Sequence, residues 1–215
     1  MDRYAIVVAG GKGHRLKSDV PKQFLSLHGK PMLLHSIDTF LKAGIVNEII
    51  LALPKDHIVI GQKIINDAGL SAKVNSIAGG GERFHSVLNA LVSLNAQYGF
   101  VAIHDAARPF ITSQFISYLF SEAEIHGNAV PALPLKESVR QLKENNWMSV
   151  DRNQFRSIQT PQVFNIEQLK QAYRLPYHSS FTDDATVVEK AGFGIHLADG
   201  LEGNVKITTL EDMER

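Results

Sequence analysis

The chain has 215 residues, no cysteine, and 22 Lys+Arg against 22 Asp+Glu, so its formal net charge at pH 7 is zero. A cysteine nucleophile, a thiolate metal site and a disulfide-stapled secreted scaffold are thereby excluded. Balanced charge supplies no bulk pull toward nucleic acid or an anionic membrane, so any polyanion must be held by a local cluster of cations. With 44% hydrophobic and 20% charged residues, the chain is expected to form one globular domain over 1–215 that buries most of its apolar surface. Its apolar runs, such as Tyr4 to Ala9 and Ile49 to Leu53, are far short of the roughly 20 residues that cross a bilayer. Asp2-Arg3 leading straight into a Gly-rich turn does not read as a signal peptide, which makes a cytoplasmic protein the expectation.

In chain order, an apolar strand over Tyr4–Ala9 runs into the turn Ala9-Gly10-Gly11-Lys12-Gly13-His14-Arg15-Leu16. A helix over Pro31–Lys42 has proline at its start and Ala43-Gly44 as its stop. Strands follow over Glu48–Leu53 and Ala72–Ile77, then a helix over Gly81–Asn95 that carries Val87, Leu88, Leu91 and Leu94 on one stripe. Phe100–His104 reads as a strand, Ser113–His126 as a helix ending at Gly127, and Ala129–Leu133 as a further strand. Apolar strands regularly separated by helices point to an α/β fold: a three-layer α/β/α sandwich around a mostly parallel, Rossmann-like sheet.

That regularity ends in the segment 136–155, where strand-like patches at Ser138–Leu142 and Trp147–Val150 flank Lys-Glu-Asn-Asn. The pattern predicts a polar β-hairpin protruding from the sheet. It is either a solvated surface ribbon or an arm that packs on a second subunit, and a lone tryptophan, Trp147, on such a ribbon calls for something to bury it. There is no internal repeat, low-complexity tract or flexible linker.

The turn after the first strand is where an open α/β sheet places its phosphate loop, because glycines let several backbone N–H groups approach an anion. A dinucleotide fingerprint G-x-G-x-x-G starting at Gly11 fails at Leu16, and a Walker A loop fails at Gly13. What remains is G-G-x-G-x-R followed by Val20-Pro21-Lys22-Gln23. Between Gly10 and Pro31 stand Lys12, Arg15, Lys17, Lys22 and Lys30, with Asp19 as the one acid. Glycine plus cations at a strand's C-terminal end suits a triphosphate.

Ala-Gly-Gly-x-Gly-x-Arg with Pro21-Lys22-Gln23 resembles the sugar-phosphate nucleotidyltransferases. His104-Asp105-Ala106-Ala107-Arg108-Pro109, Thr160-Pro161-Gln162, Thr182-Asp183-Asp184-Ala185 and Asn204-Val205-Lys206-Ile207-Thr208 follow in order, and the whole chain is similar to the 2-C-methyl-D-erythritol 4-phosphate cytidylyltransferase family of the non-mevalonate isoprenoid route. That resemblance implies condensation of CTP with a polyol phosphate, release of pyrophosphate, Mg²⁺ as cofactor, and no nucleic-acid or membrane partner. It implies catalytic roles for Arg15, Lys22, Arg152 and Lys206. It also implies CTP contacts from Ala9, Gly10, Gly11, Gly13, Gly80, Gly81, Ser86 and Asp105, with the base side of the pocket at Gly79-Gly80-Gly81-Glu82-Arg83 and Ser86, where glycines permit close approach to the pyrimidine edge. Acceptor contacts are implied for Arg108, Ser138, Arg152, Thr160 and Thr182, and a homodimer for the 136–155 arm, with sites completed across the interface.

Asp105 would hold Mg²⁺ in that scheme, although a single Asp after a strand also serves as a helix N-cap. His104 is expected to be structural, and the nine histidines show no H-x-x-x-H spacing that would mark a metal site. The family's arm carries Asp-Thr and a basic residue where this chain has Glu137-Ser138-Val139-Arg140. A helix is expected to begin near Thr209-Leu210-Glu211-Asp212, a few residues before Arg215. A cytidylyltransferase for another polyol phosphate, such as ribitol 5-phosphate, and more remotely a non-catalytic nucleotide-binding module, are the alternatives.

Overall fold

Alternate residues of the first strand feed two different cores: Ala5, Val7 and Ala9 pack into one, Ile6 and Val8 into the other. A strand buried on both faces lies inside a sheet covered by helices on both sides. The computed structural model describes residues 1–10, 21–209 and 211–214. The elements are β1 (Arg3–Val8), β2 (Ser26–Leu27), β3 (Lys30–Pro31), α1 (Met32–Ala43), β4 (Glu48–Leu53), α2 (Ile58–Asp67), β5 (Val74–Ala78), α3 (Arg83–Ser93), β6 (Phe100–Asp105) and α4 (Ser113–His126). They continue with β7 (Asn128–Pro134), β8 (Arg140–Lys143), β9 (Asn146–Ser149), β10 (Arg156–Ile158), β11 (Gln162–Asn165), α5 (Ile166–Ala172), α6 (Asp184–Lys190) and β12 (Leu197–Asp199).

The main sheet runs β10-β7-β11-β6-β1-β4-β5, with β12 also paired to β7. β5, β4, β1 and β6 are mutually parallel, and β12 is parallel to β7. β11 runs antiparallel to both β6 and β7. Helices α1, α2 and α4 contribute to the core on one face, and α3, α5 and α6 to the core on the other. The three-layer, mostly parallel architecture is therefore present. No helix among the described residues is long and apolar enough to cross a membrane.

The helix ends obey local chemistry. Thr112 caps α4 by accepting from the Phe115 amide at 3.1 Å, and Gly127 ends it at φ 85°, a left-handed position that favours glycine. Gly44 ends α1 in the same way at φ 67°. Three expectations need correcting. Ala72 and Lys73 lie in a turn, and β5 begins at Val74, because the Lys73 and Val74 amides both bond the Leu70 carbonyl. The hairpin's first strand begins at Arg140, which leaves Ser138 exposed in the approach to it. The last element is a 3-10 turn over Glu211–Glu214, and Asp212 accepts the Thr208 and Thr209 amides at 2.8 and 2.9 Å.

β8 and β9 form a ribbon separate from the main sheet. Its two-residue turn holds Glu144 at φ 49° and Asn145 at φ 66°, the doubly left-handed geometry that matches the twist of paired strands.

Candidate functional site

From β1 the chain moves outward to β4 and β5, then returns to place β6 on the other flank of β1. Open α/β sheets bind ligands outside the C-terminal strand ends at such a reversal. There the structure has a cavity of about 440 Å³, walled by Ala9 and Gly10 after β1, Gly80 and Gly81 after β5, Asp105 at the end of β6, and Lys22 and Lys206 from distant segments. Its volume is in the range of small-molecule sites.

The glycines before α3 are required by close packing. A Cβ at Gly79 would lie 2.7 Å from Ser86 Oγ, and one at Gly80 would lie 2.2 Å from His85 Cβ. Ser86, buried in the first turns of α3, accepts the Gly80 amide at 3.1 Å and donates to the Glu82 carbonyl at 3.2 Å. The hydroxyl thus closes the turn that forms one wall.

Asp105 is 9% exposed, and both its oxygens are engaged. Arg83 Nε donates to Oδ1 at 3.1 Å and Lys206 Nζ to Oδ2 at 2.7 Å. Arg83 also donates through Nη2 to Asp184 Oδ2 at 2.7 Å, and the Tyr173 hydroxyl donates to Asp184 Oδ1 at 2.6 Å. Burial alone would raise the Asp105 carboxyl, but Arg83 and then Lys206 outweigh it and hold the group well below the usual carboxylate range. Burial would lower the Arg83 guanidinium, but Asp184 and then Asp105 hold it above its usual value. Asp105 is not a helix N-cap, because α4 starts at Ser113 and Thr112 caps it.

A chain of hydrogen bonds fixes the loop from behind. The Asp105 amide donates to Thr160 Oγ1 at 3.1 Å, Thr160 Oγ1 lies 3.0 Å from His104 Nδ1, and His104 Nε2 lies 3.1 Å from the Arg108 carbonyl. With Nε2 protonated and Nδ1 accepting, every member is satisfied by a neutral imidazole. Burial pushes His104 down to about 4, which agrees, and it is structural as expected. Asn204 Nδ2 donates to the Thr160 carbonyl at 2.7 Å, and the Ile207 amide donates to the Ala107 carbonyl at 2.8 Å. These bonds lay the segment 204–207 beside the loop after β6 and present Lys206 to Asp105. Lys22, in a 3-10 turn stiffened by Pro21, donates to the Ile207 carbonyl at 3.2 Å.

Ala9, Gly10, Lys22, Gly80, Gly81, Ser86, Asp105 and Lys206 therefore meet in one cavity. Five other described residues of the sequence reading stand apart from it, among them Ser138, exposed in the approach to the ribbon. Thr160 is buried behind Asp105, and the Arg108 guanidinium donates to the Asn204 and Ile158 carbonyls at 2.9 and 3.4 Å. Thr182 is exposed beside α6, and Arg152 donates to the Lys136 carbonyl at the root of the ribbon. Gly11, Gly13 and Arg15 fall outside the described residues. Tyr173 received no role from the sequence, Asp184 entered only as a member of Thr-Asp-Asp-Ala, and Arg83 was expected on the base side of the pocket, whereas in the structure it pairs with Asp105 and Asp184.

The family model described as IspD, 2-C-methyl-D-erythritol 4-phosphate cytidylyltransferase, matches residues 4–215. A 2-C-methyl-D-erythritol 4-phosphate cytidylyltransferase of Bacteroides thetaiotaomicron is 42% identical over 215 residues, covering 100% of this chain and 97% of the relative. Its namesake from Bacteroides fragilis is 41% identical with the same coverage. The crystal structure of the Francisella tularensis 2-C-methyl-D-erythritol 4-phosphate cytidylyltransferase is similar at a TM-score of 0.81 and 27% identity, covering 100% of this chain and 97% of that one. Sequence, fold and the cavity at the sheet reversal agree: the chain belongs to the 2-C-methyl-D-erythritol 4-phosphate cytidylyltransferase family.

Proposed function

We propose that this chain joins CTP to 2-C-methyl-D-erythritol 4-phosphate, giving 4-diphosphocytidyl-2-C-methyl-D-erythritol and pyrophosphate, in isoprenoid precursor synthesis and in a cytoplasmic setting. The observation that carries the reading is the convergence of Lys22, Lys206 and Asp105 on one cavity in a chain of this family. A phosphate monoester is ionised at neutral pH, so no protein nucleophile or general base is needed. An acceptor phosphate oxygen forms the new bond to the α-phosphorus as the α–β bridging bond breaks and its electron pair leaves on pyrophosphate. Catalysis is then positioning and charge stabilisation. Lys22 and Lys206 supply two ammonium groups to the same cavity, and Lys206 exchanges Asp105 for a phosphate oxygen. Arg15, Gly11 and Gly13 complete the triphosphate cradle in this reading, and Gly80, Gly81 and Ser86 face the cytosine.

Asp105 fits a magnesium ion. It is a hard carboxylate at the cavity wall, and each oxygen accepts one hydrogen bond in the structure and keeps a further lone pair. Bound there, the ion would neutralise charge on the phosphates.

The acceptor is assigned to Arg108, Thr160 and Thr182, with Ser138 and Arg152 supplied by the ribbon of a second copy. Arg108 reaches it by releasing the longer of its two carbonyl bonds. The homodimer is supported by exposed Leu142, Trp147 and Met148 on the ribbon, at 53%, 66% and 52%, which a partner would cover. Measuring pyrophosphate release from CTP with 2-C-methyl-D-erythritol 4-phosphate and, separately, with ribitol 5-phosphate tests the reading. Turnover with the pentitol alone would overturn it.

A further inference from the structure

Outside the residues that line the CTP cavity, Tyr118, Glu122 and His126 are spaced four apart on α4 and so share one face of the helix. That face meets the segment leading into β12. The Tyr118 hydroxyl accepts the Asp199 amide at 3.1 Å, and His196 Nε2 lies 2.8 Å from Glu122 Oε2. The backbone of His196 is pinned on both sides, since its amide donates to Asn128 Oδ1 at 2.8 Å and its carbonyl accepts the Val130 amide at 2.9 Å. Asn128, itself buried, also donates to the Gly194 carbonyl at 2.9 Å. His126 Nε2 stands 3.9 Å from the same Glu122 oxygen, and the two imidazole rings stack with centroids 3.7 Å apart.

We propose that Glu122, His126 and His196 form a binding site for one divalent transition-metal ion of the zinc class. Their donor atoms all lie within 4.8 Å of one another. A tetrahedral ion with bonds of about 2.0–2.1 Å holds its donors roughly 3.3 Å apart. The 2.8 and 3.9 Å separations to Glu122 bracket that spacing. Closing the set requires the rings to fan out of their stack, and the part-exposed histidine side chains, at 42% and 29%, have room to do so. Two imidazoles and one carboxylate favour zinc, nickel or copper over magnesium and calcium, which prefer all-oxygen sets. Three protein ligands leave a position for water, on the side where a shallow hollow is lined by His126, Gln168 and His196. The sequence hid the site because its helical half is Glu-x-x-x-His and its third ligand comes from another element. A bound ion would staple the end of α4 to the strand that leads on toward Lys206.

The test titrates ZnCl₂ into the chelator-stripped full chain by calorimetry, with and without millimolar MgCl₂, and follows Tm. One zinc per chain is expected, undiminished by magnesium, with a Tm rise of about 5 °C or more at roughly a hundredfold excess over Kd. Glu122→Gln and His126→Ala should each weaken binding at least ~10-fold and remove the Tm rise, while Asp105→Asn retains both. His126 is exposed, so an unchanged circular dichroism spectrum keeps His126→Ala decisive even if a Glu122 variant fails to fold. Unaltered zinc affinity in His126→Ala, absence of saturable binding, or loss of binding in Asp105→Asn would each overturn the site.

Discussion

Replacing Arg83 with methionine probes the ion network behind the cavity. Asp184 is fully buried, and its charge is balanced by Arg83 while its second oxygen accepts from Tyr173. Removing one member of a buried pair costs about 3–5 kcal/mol because the other charge is stranded. The Arg83 side chain is 26% exposed, so water offsets part of this, and Asp105 keeps Lys206; about 2–4 kcal/mol is the expected loss. Methionine retains the apolar stem, which limits the packing contribution. Against a total stability of roughly 5–15 kcal/mol, such a change lowers the urea midpoint by about 1 M or more. Urea unfolding should be compared in Arg83→Met, Asp184→Asn and the double variant. The double variant should be no less stable than Arg83→Met, because the amide removes the stranded charge. A cost under ~0.5 kcal/mol for Arg83→Met, or strictly additive losses, would refute the reasoning.

Lys206→Ala and Lys22→Ala should each lower turnover by about 10²–10³ with CTP binding less affected; near-normal kcat in either removes that lysine from the chemistry. His104 is fully buried and held at about 4 against 6.5 in the unfolded chain, so between those values the unfolded state binds the proton and the folded state does not. Stability should therefore fall as pH drops from about 6.5 to about 4, by at most ~3 kcal/mol. Asp105, whose pKa is depressed, adds its own loss only below the ordinary carboxylate range. His104→Gln should flatten the upper part of this profile in urea midpoints taken at steps of pH, and an unchanged slope would show that the histidine is not its source. Replacing 140–149 with a short glycine linker should yield monomers in analytical ultracentrifugation and little activity. Mixing Arg152→Ala with Lys22→Ala subunits should partly restore turnover, and no restoration would argue against a site shared between copies.

The parallel half of the sheet was legible because β1, β4 and β6 are apolar on both faces and bounded by turn chemistry that sequence displays. Helix α2 was missed: Gly61 and Ile65 are its buried residues, so its apolar stripe is short. β10, β11 and β12 are three or four residues long and exist through their partners, chiefly β7; no local pattern of that length announces a strand. The cavity's described glycines, Lys22, Asp105 and Lys206 each sit in a motif the sequence displays, and the fold brings them to one cavity. What the motifs could not show is who faces whom. Arg108 and Thr160 were read as acceptor ligands, and no motif showed that their polar atoms also tie the loop after β6 to the 158–160 and 204 segments. Arg83 and Asp184 lie 101 positions apart, and only the folded chain makes them partners.

The bonds from Arg83 and Lys206 to Asp105 and Asp184 bear on how a nucleotide arrives. Two cations and two anions held at 2.7–3.1 Å cancel one another at a distance and leave a field that dies away within a few ångströms. These four groups do not draw a triphosphate in from solution. Attraction at range falls to the cations of the 12–22 run, and encounter rates should owe their ionic-strength dependence to that segment. On the proposed reaction the quartet, with Lys206 as its exposed member, acts only after contact, when a phosphate close enough to outbid a carboxylate takes the Lys206 ammonium, so discrimination is expected at the level of dissociation more than of capture.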